Sequence, residues 1–210
     1  MLLITDLDGT LIDSKRAISN SAIATVVKFA GLNLPESFFY PFIGIPIKNV
    51  LKDLIPPERL EESVLYFRGH LIENGESLTH PFPGVFETLQ ELNRRGGVVC
   101  VASNKVSSLA ATVLNQQGLG SLIRKIYGTN NHAPKPNPEM VIKAMSDFPN
   151  RRTFMIGDRP EDIIAGKEAG AETIFFSNEF SPLLGIVGLD PDKRVDSWSH
   201  LLELPGFFKE

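Results

Sequence analysis

The sequence predicts an α/β fold: a Rossmann-like parallel sheet with helices on both faces, carrying a small inserted α-helical cap. Three observations predict it. Short apolar runs alternate with helical patterns through the second half of the chain. A long stretch, residues 14–80, interrupts this rhythm after the first strand. Acidic and polar residues follow the predicted strands, at the edge where open parallel sheets bind their ligands.

The first predicted strand is the apolar run at residues 2–4, and Asp6-Leu7-Asp8-Gly9-Thr10 follows it. Side chains two residues apart at the end of a strand project to the same side, so Asp6 and Asp8 are expected to lie together. Gly9 lets the backbone turn away sharply. Two neighbouring carboxylates repel unless a cation, a proton or hydrogen-bond donors offset them. The motif therefore predicts a functional site, and a polar turn is the alternative.

The second half of the chain alternates strand and helix patterns, which predicts a parallel sheet with crossover helices. The run at residues 98–102 is continuously apolar, as expected for a strand buried on both faces. The other strands are predicted at residues 125–128, 153–156 and 173–176. The helices are predicted at residues 85–94, 106–114, 138–145 and 160–169. After the last strand, residues 177–194 are expected to be loop-like, and Trp198 to lie on a terminal helix.

Residues 14–80 do not fit this alternation, because one helix at residues 85–94 already supplies the crossover to the second core strand. The surplus carries apolar residues at helical spacing, and Pro81-Phe82-Pro83-Gly84 marks a stiff exit from it. We therefore expect an α/β core domain at residues 1–13 and 81–210 and a helical cap domain at residues 14–80.

Composition and charge exclude several classes of partner. The chain has 210 residues, enough for one core domain with an insert, and a formal net charge of −4. That charge gives no electrostatic attraction to nucleic acid or to an anionic membrane. No apolar run approaches the roughly 20 residues that a membrane span needs, and we expect no signal peptide before the first strand. We expect a cytoplasmic protein, with monomer and homodimer both open, and a buried structural Cys100.

Four polar clusters occur in order along the predicted sheet. Each also has an ordinary structural alternative: a helix N-cap, a first-turn acid or a solvated loop lysine. Their joint order favours a shared site. The clusters are Asp6 with Asp8, Ser103 with Asn104 and Lys105, Lys135, and Asp158 with Asp162.

Together these residue types predict a phosphoryl site. Several carboxylates in one cleft suit Mg²⁺, which takes oxygen ligands. A hydroxyl and a lysine can hold the phosphate oxygens, the lysine as a point charge. A carboxylate left free to attack phosphorus would allow covalent catalysis.

The clusters resemble the four ordered motifs of the haloacid dehalogenase-like hydrolase superfamily. With its helical cap, the chain is similar to the phosphoglycolate phosphatase-like group of that superfamily. The stretches that carry this second resemblance are Asp6 to Ser14, Ile43-Gly-Ile-Pro46, Pro83-Gly-Val85, Ser103-Asn-Lys105 and Lys135-Pro-Asn-Pro138.

The resemblance implies a role for each catalytic residue. Asp6 would be the nucleophile that forms an aspartyl-phosphate, and Asp8 the general acid and then the general base. Ser103 and Asn104 would bind the phosphoryl oxygens. Lys135 would bind them too and would stabilise the nucleophile.

The resemblance also implies a Mg²⁺ ion held by the Asp6 carboxylate, the Asp8 backbone carbonyl and Asp158. Asp162 would lie close by or act through water. Arg159 departs from the pattern, since serine is usual there. We expect an outward salt bridge for Arg159, with a substrate contact as the alternative.

These implications predict a Mg²⁺-dependent phosphatase that acts on a small phosphorylated metabolite, similar to phosphoglycolate, under a closing cap. Asp8 favours phosphate-ester chemistry, because the dehalogenase and phosphonatase branches lack an acid there. A β-phosphoglucomutase-like phosphotransferase is one alternative. A non-catalytic binding or regulatory protein on the same fold is the other.

Overall fold

The computed structural model describes residues 1–178, 181, 188–205 and 207. Its main feature is a six-stranded sheet in which every pair of neighbouring strands is parallel. In spatial order the strands are β5 (Lys125–Gly128), β4 (Val98–Ser103), β1 (Leu2–Thr5), β6 (Thr153–Gly157), β7 (Glu172–Phe176) and β8 (Lys193–Val195). The predicted parallel sheet is confirmed.

Helices cover both faces of the sheet, because alternate residues of the fully buried strands point to opposite sides. Leu3 packs in one apolar cluster with Leu89. Leu2 and Ile4 pack in another with Met140. The four helices that follow β3, β4, β5 and β6 in the chain are α5 (Val85–Arg94), α6 (Ser107–Gln116), α7 (Glu139–Asp147) and α8 (Pro160–Glu168). Their predicted positions are confirmed to within about two residues, the usual uncertainty of a helix end.

Two short strands, β2 (Ile12–Asp13) and β3 (His80–Pro81), pair antiparallel where the chain leaves the sheet and returns to it. We call the residues between them, 14–79, the helical insert. Its α-helices are α1 (Lys15–Ala30), α2 (Glu36–Phe39), α3 (Ile47–Leu51) and α4 (Leu60–Asn74). The predicted division of the chain into separate core and cap domains stays a prediction.

The insert is held together by the apolar stripes that the sequence displays. Helices α1 and α4 pack against each other, and Val26 and Phe29 of α1 share a buried cluster with Val64 and Phe67 of α4. Leu3 of the sheet belongs to the same cluster. The insert and one face of the sheet thus share continuous apolar packing.

The part of the chain after β7 differs from prediction in one respect. Residues 193 and 194, which were expected to end a loop, belong with Val195 to β8 beside β7. Residues 179–180 and 182–187 of that expected loop lie outside the described residues. The expected terminal helix is a 3-10 helix, Ser199–Glu203, and the indole of Trp198 is buried and donates to the carbonyl of Thr10 at 2.8 Å.

Two further expectations concern the single cysteine and membrane-spanning helices. Cys100 is buried, and desolvation raises the pKa of its thiol to about 12. Across the residues described above, we find no helix with the length and apolar character needed to cross a membrane.

Candidate active site

The predicted site residues meet at the carboxyl edge of the sheet, because β1 lies between β4 and β6. Asp6 follows β1 directly, and its backbone N–H continues the sheet by donating to Ile156 of β6 at 2.9 Å. Ser103 is the last residue of β4, and Asp158 follows β6. Three segments distant in sequence therefore place their polar ends side by side.

Gly9 is required by the close approach of two of these segments. Its φ of +85° lies in the left-handed region, and a Cβ there would lie 2.5 Å from Asp158 Oδ2. The next residue, Thr10, donates from Oγ1 to Asp158 Oδ1 at 2.7 Å. The turn after β1 thus fixes the carboxylate that follows β6.

Lys135 is buried between two acids. Its Nζ donates to Asp6 Oδ1 at 2.7 Å and to Asp162 Oδ1 at 2.5 Å. Burial favours the neutral amine, but Asp162 and Asp6 outweigh it, so the pKa of Lys135 lies above its ordinary value. The lysine is therefore charged at neutral pH and is held against Asp6.

Asp6, Asp158 and Asp162 form a buried acidic trio, in which one oxygen from each lies within 4.8 Å of the others. Burial raises the pKa of Asp6 to about 7 and that of Asp158 well above its ordinary value, and the neighbouring acids add to both shifts. Lys135 opposes the shift of Asp6. The trio carries more negative charge, when ionised, than this lysine can compensate.

This donor set fits a magnesium ion. Three buried carboxylates supply the oxygen ligands that Mg²⁺ prefers, and their excess charge calls for a cation. Both oxygens of Asp162 already accept hydrogen bonds, from Lys135 and from the backbone N–H of Arg159 at 3.1 Å. Among the described residues, no donor contacts Oδ2 of Asp6 or Oδ2 of Asp158. These two oxygens are the more available ligands.

Ser103 and Asn104 follow β4 beside the trio. Ser103 is buried, and its Oγ accepts from the backbone N–H of Lys105 at 3.2 Å. The Asn104 side chain accepts from the backbone N–H of Lys135 at 2.8 Å and donates to the Gly44 carbonyl at 3.0 Å. Its amide is thus occupied in positioning the Lys135 loop and the insert, and phosphate binding by Asn104 stays a prediction.

Asp8 lies in a separate set of contacts. Ser14 Oγ donates to its Oδ1 at 2.5 Å, and Lys105 Nζ donates to its Oδ2. No individual role was predicted for Lys105, Ser14 or Thr10, although all three lie within or beside the motifs. Thr10 and Ser14 are signalled only by their place beside the two acids, and Lys105 only by its place in the cluster after β4. Neither signal distinguishes these residues from solvent-facing neighbours.

Arg159 makes the expected salt bridge with Glu161 at 3.2 Å, but its side chain is only 17% exposed, so it does not point outward. It also reaches the helical insert, where Nη1 donates to the Ile43 carbonyl at 2.8 Å. Gly44 makes room for it: a Cβ at that residue would lie 2.8 Å from Arg159 Cδ. Arg159 therefore joins the loop after β6 to the insert, a role that the sequence did not indicate.

Comparison with known proteins supports the same chemistry. The family model described as haloacid dehalogenase-like hydrolase matches residues 3–176. A pyrophosphatase PpaX from Halalkalibacterium halodurans is 30% identical over 207 residues, which cover 97% of this chain and 96% of the relative. A phosphoglycolate phosphatase from Aquifex aeolicus is 33% identical over 214 residues, which cover 97% and 95%.

A solved structure agrees in fold. The haloacid dehalogenase-like hydrolase from Streptococcus pneumoniae superposes with a TM-score of 0.83 at 21% identity, covering 96% of each chain. The family match over most of the chain confirms the resemblance that the motifs carry. The chain belongs to the haloacid dehalogenase-like hydrolase family, among its phosphatases.

Proposed function

We propose that this protein is a Mg²⁺-dependent phosphatase that hydrolyses a small phosphomonoester through an aspartyl-phosphate on Asp6. The observation that carries the proposal is the position of Asp6, buried beside Lys135 within an acidic trio at the carboxyl edge of the sheet. A buried carboxylate that a charged lysine holds in place is suited to nucleophilic attack.

In the first step an Asp6 carboxylate oxygen attacks phosphorus, and the ester P–O bond breaks. The electron pair of that bond leaves on the ester oxygen, which takes a proton from Asp8. Lys135 and the Ser103 hydroxyl supply positive charge and a hydrogen bond for the phosphoryl oxygens. Lys135 contacts Asp6 directly, so one cation serves the nucleophile and the developing charge together.

In the second step Asp8, now a carboxylate, takes a proton from water while the water oxygen attacks phosphorus. The bond between phosphorus and the Asp6 oxygen breaks, so phosphate leaves and the Asp6 carboxylate is regenerated. Ser14 and Lys105 both donate to the Asp8 carboxylate, the form that accepts this proton. Asp8 must exchange one of these contacts for a proton before it serves as the acid of the first step. Exclusion of bulk water by the insert would protect the aspartyl-phosphate from unassisted hydrolysis.

Asp6 and Asp158 would hold the Mg²⁺ ion, with the Asp8 backbone carbonyl as the resemblance implies and Asp162 acting indirectly. The ion would shield Asp6 from the charge of the incoming phosphate. Asp162 is better placed to orient Lys135, since that lysine occupies one of its oxygens.

The relatives differ in the substrates that their names give, so they leave the substrate of this chain open. A small phosphorylated metabolite similar to phosphoglycolate stays a prediction. So do the absence of nucleic-acid and membrane partners, the monomeric or homodimeric state and the cytoplasmic location.

The test is hydrolysis of p-nitrophenyl phosphate by purified protein with and without Mg²⁺. We expect turnover that requires Mg²⁺ and is lost in Asp6→Asn. Asp53→Asn, the same change at an exposed acid, is the matched control. Rapid quenching with ³²P-labelled substrate should trap label on the wild-type protein and not on Asp6→Asn.

Three outcomes would contradict the proposal. Undiminished turnover by Asp6→Asn would exclude the aspartyl-phosphate route, and no turnover of any phosphomonoester would favour a binding or regulatory protein. Phosphate transfer within a hexose phosphate, detected by product analysis, would favour the phosphotransferase instead.

A further inference from the structure

A cavity of about 580 Å³ lies between the helical insert and the carboxyl edge of the sheet. Asp8, Asn104 and Lys105 line it from the core side. It therefore adjoins the carboxylate that, in the proposed function, protonates the departing oxygen. The part of the substrate beyond that oxygen has this space to occupy.

The walls of the cavity are mainly apolar. Half-buried side chains of the insert and of the segment after β4 contribute to the lining, together with buried residues of α1, α4 and α6. Representative lining residues are Phe42, Ile45, Ile47, Phe67, Val106 and Leu109. Binding of an apolar group to such a surface is favourable, because the group displaces water from apolar side chains.

The charges along the cavity largely cancel one another. Lys48 forms an ion pair with Glu61, and Lys105 forms one with Asp8. Arg68 of α4 is half-buried, and no described residue gives it an acidic partner. The lining thus offers one uncompensated cation against a larger apolar surface.

Size separates the possible leaving groups. A group of about five non-hydrogen atoms, such as glycolate, would fill roughly 150 Å³ at about 30 Å³ for each water-sized atom. That is about a quarter of this cavity, and the apolar walls would stay in contact with water. At the same volume for each atom, about 19 non-hydrogen atoms would fill the cavity, so its size admits a long carbon chain or a fused ring system.

We propose that the leaving group of the substrate is an apolar alcohol, alkyl or aryl, that enters this cavity with its ester oxygen at Asp8. The inference rests on the proposed phosphatase function and adds the substrate class to it. A substrate whose leaving group is small and acidic, as in phosphoglycolate or pyrophosphate, would make little use of the apolar walls.

The test measures kcat/KM for ethyl, butyl and hexyl phosphate by phosphate release, with phosphoglycolate and pyrophosphate as comparators. Each added methylene should raise kcat/KM about fourfold until the cavity is filled. The kcat/KM for butyl phosphate should be higher than that for phosphoglycolate. A flat alkyl series, or a preference for phosphoglycolate or pyrophosphate over butyl phosphate, would overturn the inference and direct attention to Arg68.

The two proposals fail in different ways. If p-nitrophenyl phosphate is hydrolysed and the alkyl series is flat, the phosphatase stands and the apolar leaving group is wrong. If no phosphomonoester is hydrolysed, the proposed function fails, and the inference fails with it.

A matched pair of variants assigns the effect to the cavity. Ile47→Asn places an amide on the lining, whereas Ile72→Asn makes the same change on the exposed side of α4, outside the cavity. We expect the gain per methylene to shrink in Ile47→Asn and to be retained in Ile72→Asn. If Ile47→Asn does not fold, the near-isosteric Val106→Thr tests the same wall from the core side. An unchanged gain in a folded lining variant would overturn the assignment.

Discussion

Lys105 and Asp8 form a buried ion pair across two neighbouring strands of the sheet. Their side chains are 11% and 5% exposed, and the Nζ of Lys105 donates to Oδ2 of Asp8. Ser14 holds the other oxygen. The pair fixes the Asp8 carboxylate at the edge of the cavity, and neither charge has much access to water.

Removing the cation alone should be costly. Lys105→Met leaves a buried carboxylate unpaired, and we expect it to lower the free energy of unfolding by about 3 kcal/mol. The double variant Lys105→Met/Asp8→Asn removes both charges and should recover at least half of that loss. Urea unfolding followed by circular dichroism measures all three proteins.

Lys48→Met is the control for this cycle, because its pair with Glu61 is exposed, at 54% and 75%. Lys48→Met should lower the free energy of unfolding by at most about 1 kcal/mol. If Lys105→Met loses no more unfolding free energy than Lys48→Met does, breaking the buried pair costs no more than breaking an exposed one.

The raised carboxyl pKa values predict how magnesium binding depends on pH. Between the unfolded value of 3.8 and about 7, folded Asp6 retains a proton that the unfolded chain releases. The pKa of Asp158 is raised in the same direction. Metal-free protein should therefore lose stability from these groups as the pH rises through this range. Mg²⁺ binds the ionised carboxylates, so it should restore that stability.

The measurement is the increase in melting temperature caused by Mg²⁺. We expect a larger increase at about pH 8 than at about pH 6, because protons compete with the ion at the lower pH. Asp158→Asn should abolish most of the increase, and the exposed Asp53→Asn should keep it. Equal increases at both pH values would contradict the assignment of the trio as the metal site.

Thr10 is predicted to be a positioning residue for the metal. Thr10→Val keeps the shape of the side chain and removes its 2.7 Å hydrogen bond to Asp158. Loss of such support for a metal ligand commonly weakens binding about 10-fold to 100-fold. Isothermal titration calorimetry with Mg²⁺ measures the affinity directly. Thr112→Val, which removes an exposed hydrogen bond to the Ser108 carbonyl on α6, should bind Mg²⁺ as the wild type does. An unchanged affinity in Thr10→Val would remove this role.

Asn104 is predicted to act through Lys135. Asn104→Ala removes the acceptor of the Lys135 backbone N–H, and we expect kcat/KM to fall by as much as about 100-fold as the lysine shifts. Hydrogen exchange at that N–H should quicken in the variant. Asn93→Ala, which removes an exposed side-chain bond to Leu122, is the control. Lost activity with unchanged exchange would favour direct phosphate binding by Asn104 instead.

Much of the sheet and the site could be predicted because the signals are local. The apolar run at residues 98–102 marks a buried strand, and polar residues after strands reach one edge of a parallel sheet whatever their separation in sequence. This rule brings Asp6, Lys135 and Asp158 together before any contact is known. Strand β8 escaped prediction because it is short, with one of its three residues exposed, and lacks a continuous apolar run.

The contacts that escaped prediction depend on how side chains face each other across the fold. The Lys105–Asp8 contact spans 97 residues, and a lysine after a strand is equally typical of a solvated loop. Arg159 reaches Ile43 only because the insert lies over the sheet edge. Pattern and spacing carry no information about such pairings.

The central place of β1 has a consequence for how the protein is made. Residues 2–5 leave the ribosome before either of their sheet neighbours, since β4 begins at residue 98 and β6 at residue 153. The nascent chain must keep this apolar segment from aggregating while the whole helical insert is synthesised. Asp6 reaches its working position only when translation has passed the sixth strand. Catalytic activity therefore requires that most of the chain has been synthesised and folded.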